Sequence, residues 1–454
     1  MPRILKYPYD GRLWFAVVVV AGVAAIIGAL IWRTQGLVEL PDVGEPFDVA
    51  AALRPVAIPD NENAYVAYAA ARQKLVKPAN PINDARREFL DDAAWKADIK
   101  ALTWATAAEG SRAYLEDKRP ALEIGREGCR LRDALYHQPN RIALDSPLNL
   151  LEDARTLAAL AALEGSRLEG AGVKDGAREW YLAILRSSRL VGRHGSLVQR
   201  VYGAKIHALA ARCILRWAAD PGVDAGLLRR ALAETLAADA LTSPLSDAIK
   251  VDYLICQWDL ADLGHFENTL RDVGRRLPLL GEGALDQFVL SPVVRNSAQR
   301  FRLVATNDVE RSRRAIQLLF ANWLAQADRP AAGRAPLAIQ EPTWIYADDP
   351  SAPPAARAVK PDVLRRAIDQ TTIARFFFGS EFMQGERPGP PWEGDGDLAR
   401  ERRRRSVLIV RLAAELCRRE RGTSPATTGA LVGPYLKELP EGTYSAAAIP
   451  EGVD

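Results

Sequence analysis

The chain has 454 residues, 48% of them hydrophobic and 26% charged, with a formal net charge of +3. That apolar content excludes a disordered chain, the mean hydropathy of −0.12 excludes a polytopic membrane protein, and the near-neutral balance leaves no electrostatic footprint for nucleic acid. Four Cys, four His and two Met exclude a disulfide-dense scaffold and leave few ligands for a transition metal.

The first element in chain order is Leu13 to Trp32, LWFAVVVVAGVAAIIGALIW, which carries no charge and no Pro. At ~1.5 Å per residue such a helix spans a hydrocarbon core of ~30 Å. Trp14 and Trp32 stand near its ends, Arg3, Lys6 and Arg12 precede it, and Glu39, Asp42, Glu45 and Asp48 follow. The positive-inside rule then predicts a cytoplasmic N-terminus and an extracytoplasmic body. A cleaved signal peptide is the rival reading, but its apolar core would be shorter and Ile31-Trp32-Arg33 is a poor cleavage context. Residues 33–57, rich in Pro and acid, read as a juxtamembrane spacer.

From Asp60 onward helix formers recur at 3.6-residue spacing. Asp60 is the expected N-cap of the first body helix, with Glu62 favoured by its dipole; a metal or acid–base role for the pair is the alternative. Leu150 to Gly170 and Asp175 to Val191 predict a helical hairpin. Within it, the order Ala177, Tyr181, Leu185 resembles the second helix of a tetratricopeptide repeat. Further apolar stripes run through Val198, Tyr202, Ile206, Leu209, Cys213 and Trp217, then Leu228, Leu232 and Leu236. Ile249, Tyr253, Cys256, Leu260 and Leu263 predict a helix ending at Gly264, and Arg311 to Gln326 predicts another. Seven prolines from Pro330 to Pro361 prevent long helices. One helix is expected from Asp362 to Phe378 and a last one from Leu398 to Arg421, with Leu431 and Leu436 packing back beyond it.

Near the C-terminus, Arg411-Leu412-Ala413-Ala414-Glu415-Leu416, the helix end Arg418-Arg419-Glu420-Arg421-Gly422, and the pairs Leu431-Val432, Tyr435-Leu436 and Leu439-Pro440 stand in series. This series resembles a recurrent segment of uncharacterised bacterial single-pass membrane proteins with an all-helical outer domain, and a similar segment occurs in pseudopilin-like proteins. The opening Ile58-Pro59-Asp60 with Glu62-Asn63-Ala64 is similar to theirs, whereas Ser424-Pro425 stands where Tyr-Pro is usual. The resemblance touches a small part of the chain and implies an architecture but no activity.

The chemistry-bearing motifs are sparse. There is no G-x-x-x-x-G-K-[ST], no G-x-S-x-G, no H-E-x-x-H and no C-x-x-C. His194 beside Ser196 is the one conceivable catalytic pair. A His at a helix end followed by a capping Ser explains the same residues. Cys213 and Cys256 lie on apolar stripes, where a free thiol behaves as a small hydrophobe, although four Cys in an oxidising space allow a disulfide. Arg400, Arg402, Arg403, Arg404 and Arg405 are the strongest charge cluster and the candidate site for an anionic partner. Their place at a helix N-terminus opposes the dipole.

The sequence thus predicts an all-α chain. Its parts are a cytoplasmic N-terminus (1–12), a transmembrane helix (13–32), the spacer (33–57) and an antiparallel, tetratricopeptide-like helical-hairpin domain (58–329). A Pro-rich irregular segment with one helix (330–397) and a C-terminal helix and tail (398–454) complete it. No catalytic residue, cofactor or metal is expected. The expected partners are the membrane through 13–32 and an unknown protein, and no nucleic acid. The expected role is a membrane-anchored binding or scaffold protein of the cell envelope, with a motif-less envelope hydrolase and a component of an envelope or secretion assembly as alternatives.

Overall fold

The computed structural model describes residues 18–22, 36–76, 81–98, 100–142, 146, 149–276, 306–329, 359–371, 373–378, 397–441, 443 and 447–450. The described residues are helical, with isolated β-bridges at Asn63–Asp133 and Val432–Leu436. The helices longer than five residues are α1 (Ala64–Val76), α2 (Pro81–Trp95), α3 (Glu109–Gly128), α4 (Asn149–Gly170), α5 (Lys174–Val191) and α6 (Leu197–Ala219). Then follow α7 (Ala225–Asp239), α8 (Leu245–Arg276), α9 (Asp308–Gln326), α10 (Pro361–Asp369), α11 (Ile373–Phe378) and α12 (Asp397–Arg421). Two compact units divide the chain: residues 45–256 with 320–343 and 389–454, and residues 1–44 with 257–319 and 344–388.

The predicted membrane span, and with it the single-pass topology and extracytoplasmic placement, is corrected. Among the described residues no helix is long and apolar enough to cross a membrane. A span needs about 20 consecutive apolar residues, and the long helices here carry charges throughout, as in α8 and α12. Of the run 13–32, residues 18–22 form a helical turn with Val18, Val19 and Val20 exposed; the remainder lies outside the described residues.

In the larger unit, α4 lies at the centre and packs against α1, α2, α3, α5 and α6. Its composition accounts for this. The stretch Leu157-Ala158-Ala159-Leu160-Ala161-Ala162-Leu163 is buried on every side, and a helix apolar all round belongs inside. Two glycines bring the helices close. A Cβ on Gly165 would lie 2.4 Å from the Tyr181 ring, so α5 seats that ring on the α4 backbone. A Cβ on Gly203 would lie 2.5 Å from the Ser188 carbonyl oxygen, so α6 approaches α5 equally closely. Trp217 closes the end of this stack, its indole N–H donating to the Lys174 carbonyl at 3.0 Å. α12 packs on α6 and α7. Leu431 and Leu436 fold back into the core, as their spacing predicts.

Several boundaries differ from expectation. Asp60–Glu62 forms a 3₁₀ turn, and the helix opens at Asn63 instead. The Asn63 carboxamide oxygen accepts from the Tyr65 N–H at 3.1 Å and the Leu135 N–H at 2.9 Å, so a long-range contact selects the cap. α2 and α3 have no counterpart in the predicted elements. α8 continues past Gly264 to Arg276, because one interior Gly costs a helix only about 1 kcal/mol.

The predicted spacer is docked rather than free. Within the larger unit the Gln138 carboxamide accepts from the Val56 N–H at 2.9 Å and donates to the Val56 carbonyl at 3.0 Å. Tyr253 donates its hydroxyl proton to the Glu45 carboxylate, and Phe47 meets the Tyr253 ring edge-on. Within the smaller unit, Gln370 brackets the segment by accepting from the Val38 N–H at 2.8 Å and donating to the Gly36 carbonyl at 3.0 Å. Arg313 pairs with Asp42 at 3.0 Å. The single helix expected over 362–378 is there broken into α10 and α11 at Thr371, whose hydroxyl donates to the Ile368 carbonyl at 2.9 Å.

Candidate functional site

The arginine run at the start of α12 does not form one free cationic face. Arg400 pairs with Asp397 at 2.9 Å, a first-turn acid on the same helix. Arg402 reaches Glu441 of the returning tail at 3.7 Å. Arg405 grips Asp239, the last residue of α7, through two hydrogen bonds of 2.6 and 2.9 Å. Arg403 and Arg404 are engaged as well. Acids at 239, 397, 401 and 441 therefore compensate a charge run that would otherwise oppose the helix dipole.

What the fold brings together is Arg402 and Arg405 with residues far from them in sequence. Glu401 turns inward and forms a buried ion pair with Arg189 of α5; their side chains are 5% and 1% exposed. Arg200 of α6 lies 4.0 Å from the other Glu401 oxygen. Burial pushes the Glu401 carboxyl up, but Arg189, Arg200 and Arg405 outweigh it and hold the group below the usual carboxylate range. His207 sits within this group, fully buried and with neither ring nitrogen hydrogen-bonded. Burial and then the Arg189 charge keep its pKa well below the usual value, so the imidazole is neutral.

An open cavity of about 370 Å³ adjoins the network, between the end of α7, the start of α8 and α12. Arg200, Asp239, Asp328, Glu401, Arg402 and Glu441 line it along with Thr242. Two polar atoms at this cavity are buried without a hydrogen-bond partner: Thr242 Oγ1 and Arg200 Nε. The site therefore offers both signs of charge and unspent hydrogen-bonding capacity.

The other sequence candidate resolves differently. His194, at a φ of +53°, places Nε2 2.9 Å from Asp133. The same carboxylate oxygen accepts from Arg193 Nε at 2.7 Å and from the Ala134 N–H at 2.8 Å. Burial raises the Asp133 pKa, yet the Ala134 N–H, His194 and Arg193 together bring it below the usual range. Ser196 Oγ accepts from the Gln199 N–H, and the Gln199 side chain accepts from the Ser196 N–H, a complete capping box at the start of α6. Asp133 clamps the α5–α6 turn and Ser196 caps the next helix, so the two side chains serve different partners.

All four cysteines are buried, and no disulfide joins them. Among the described residues no group of three or more His, Cys, Asp or Glu could hold a metal ion. Sequence reasoning missed Arg189, Arg200 and Asp239. The available signal was Arg189 four residues beyond Leu185, on the apolar face of Ala177, Tyr181 and Leu185, since a charge on a buried face needs a buried partner. No family model, curated protein or solved structure matches the chain.

Proposed function

We propose that the chain is a helical protein-binding scaffold, and that the cavity beside α12 receives a polar segment of a partner protein. The carrying observation is the pair of buried, unpartnered atoms at an open cavity, Thr242 Oγ1 and Arg200 Nε. A buried donor or acceptor left unpaired costs about 1–3 kcal/mol, a cost that an arriving carbonyl or carboxylate oxygen relieves. The partly exposed ends of Arg402 and Glu441 add charges of both signs for orientation. The α4–α5 pair, with Tyr181 seated on Gly165, supports a tetratricopeptide-like hairpin within this scaffold.

The test uses the full chain carrying a photo-crosslinking residue in place of Arg402. The expected result is a discrete protein adduct in cells, lost when Thr242→Val is added. Absence of any adduct, or an adduct indifferent to Thr242→Val, overturns the reading.

A further inference from the structure

A second cavity lies between α3, α5 and α7. Its volume is about 170 Å³, room for about five waters at ~30 Å³ each. Four arginines, Arg126, Arg130, Arg178 and Arg186, border it against two acids, Glu179 and Glu234. The arginines are not equally spent. Arg178 is neutralised, pairing with Asp175 at 2.8 Å and with Glu234. Arg130 has an exposed partner, Glu127, at 2.9 Å. Arg126 holds Glu123 at 2.8 Å, lies 3.8 Å from Glu179 and sits 4.6 Å over the Trp180 ring, which fixes its guanidinium plane. Its Nε is buried and has no hydrogen-bond partner. Arg186 is half-buried and pairs with no carboxylate among the described residues.

We propose that this cavity is a binding site for a small tetrahedral oxyanion of the phosphate class, held by Arg126, Arg130 and Arg186. Guanidinium forks match the edges of a phosphate with paired N–H donors. Arg186 brings an unpaired positive charge to the lining and Arg126 Nε an unpaired donor, and an oxyanion satisfies both. The size of the space favours a single phosphoryl group over a nucleotide. Cys129 also lines the cavity, but burial pushes its thiol up to about 11. A thiol of that kind is a poor nucleophile, which makes the site one of binding rather than covalent transfer.

The experiment is titration calorimetry of the full chain with inorganic phosphate at constant ionic strength, and with phosphoserine in a second arm. Wild type is expected to bind phosphate, with affinity falling at least tenfold in Arg186→Gln. Arg130→Gln, whose side chain is already exposed, preserves the fold and is expected to lose affinity several-fold. Arg365→Gln, an exposed residue of the other unit, leaves affinity unchanged. Phosphoserine binding as tightly as phosphate identifies a phosphomonoester as the ligand source, and weaker binding identifies the free ion. No heat beyond that of sodium chloride, or unchanged phosphate affinity in both Arg186→Gln and Arg130→Gln, overturns the proposal.

Discussion

Arg189 on α5 and Glu401 on α12 stand 212 residues apart in the chain and meet as a buried ion pair. The pair ties the C-terminal helix to the centre of the larger unit. Breaking such a pair leaves one charge buried and uncompensated, at about 3–5 kcal/mol. Glu401→Gln should therefore lower stability by about that amount in denaturant unfolding of the full chain. The double variant Arg189→Met/Glu401→Leu, which removes both charges, should recover most of the loss. Equal destabilisation in single and double variants would show that the charges do not act as a pair.

His207 and Asp252 should tilt the pH dependence of stability in opposite directions. His207 has a folded pKa well below 6.5 because of burial and then Arg189. Its contribution is complete above about pH 6.5 and is lost as pH falls, since the unfolded state then binds the extra proton. Asp252 accepts from the Leu197 N–H at 3.0 Å, and burial pushes its carboxyl up to about 7. Its contribution is complete below about pH 4 and is lost as pH rises toward 7, since the folded state holds the proton longer. Relative to wild type, His207→Leu should gain stability on acidification from pH 6.5, and Asp252→Asn should gain it on moving from pH 4 to 7. Melting curves across that range, parallel to wild type for both variants, would refute the assignment.

Gly203 tests how close α5 and α6 must lie. Its replacement by Ala drives a methyl group to 2.5 Å from the Ser188 carbonyl oxygen, a backbone atom that cannot step aside alone. The expected loss is about 1–3 kcal/mol, typical of overpacking. Gly170→Ala meets nothing within 4 Å and should be neutral or raise stability by up to about 1 kcal/mol. Thermal denaturation of the two variants decides it, and a neutral Gly203→Ala would mean that α6 can move outward freely.

The thiols give a fourth check. Burial pushes Cys129 up to about 11 and Cys213 up to about 12, and all four cysteines are buried. A disulfide reagent should modify none of them in the native chain at neutral pH, and all four after unfolding in denaturant. Rapid reaction of even one native thiol would contradict the packing of its helix.

Much of the helix inventory follows from local pattern alone. The stripes through Ile206, Leu209, Cys213 and Trp217, and through Leu228 and Leu232, repeat every three or four residues, and the structure buries these same residues in α6 and α7. Ser196 reads as a cap because it follows His194 at a helix end, and the structure completes a capping box there with Gln199. The split between α10 and α11 escaped local pattern: α10 ends at Asp369, and the Thr371 hydroxyl beyond it donates to the Ile368 carbonyl at 2.9 Å.

The sequence by itself determined where α4 to α7 run, because periodicity and capping are properties of neighbouring residues. Tertiary structure alone decided the fate of the charges. In the sequence, Arg400 to Arg405 form a cationic run; in the fold, Asp239 and Glu441 consume two of them while Glu401, lying within the run, turns inward to Arg189. Electrostatic pairing depends on distance in space and on the local dielectric, and neither is written in the order of residues.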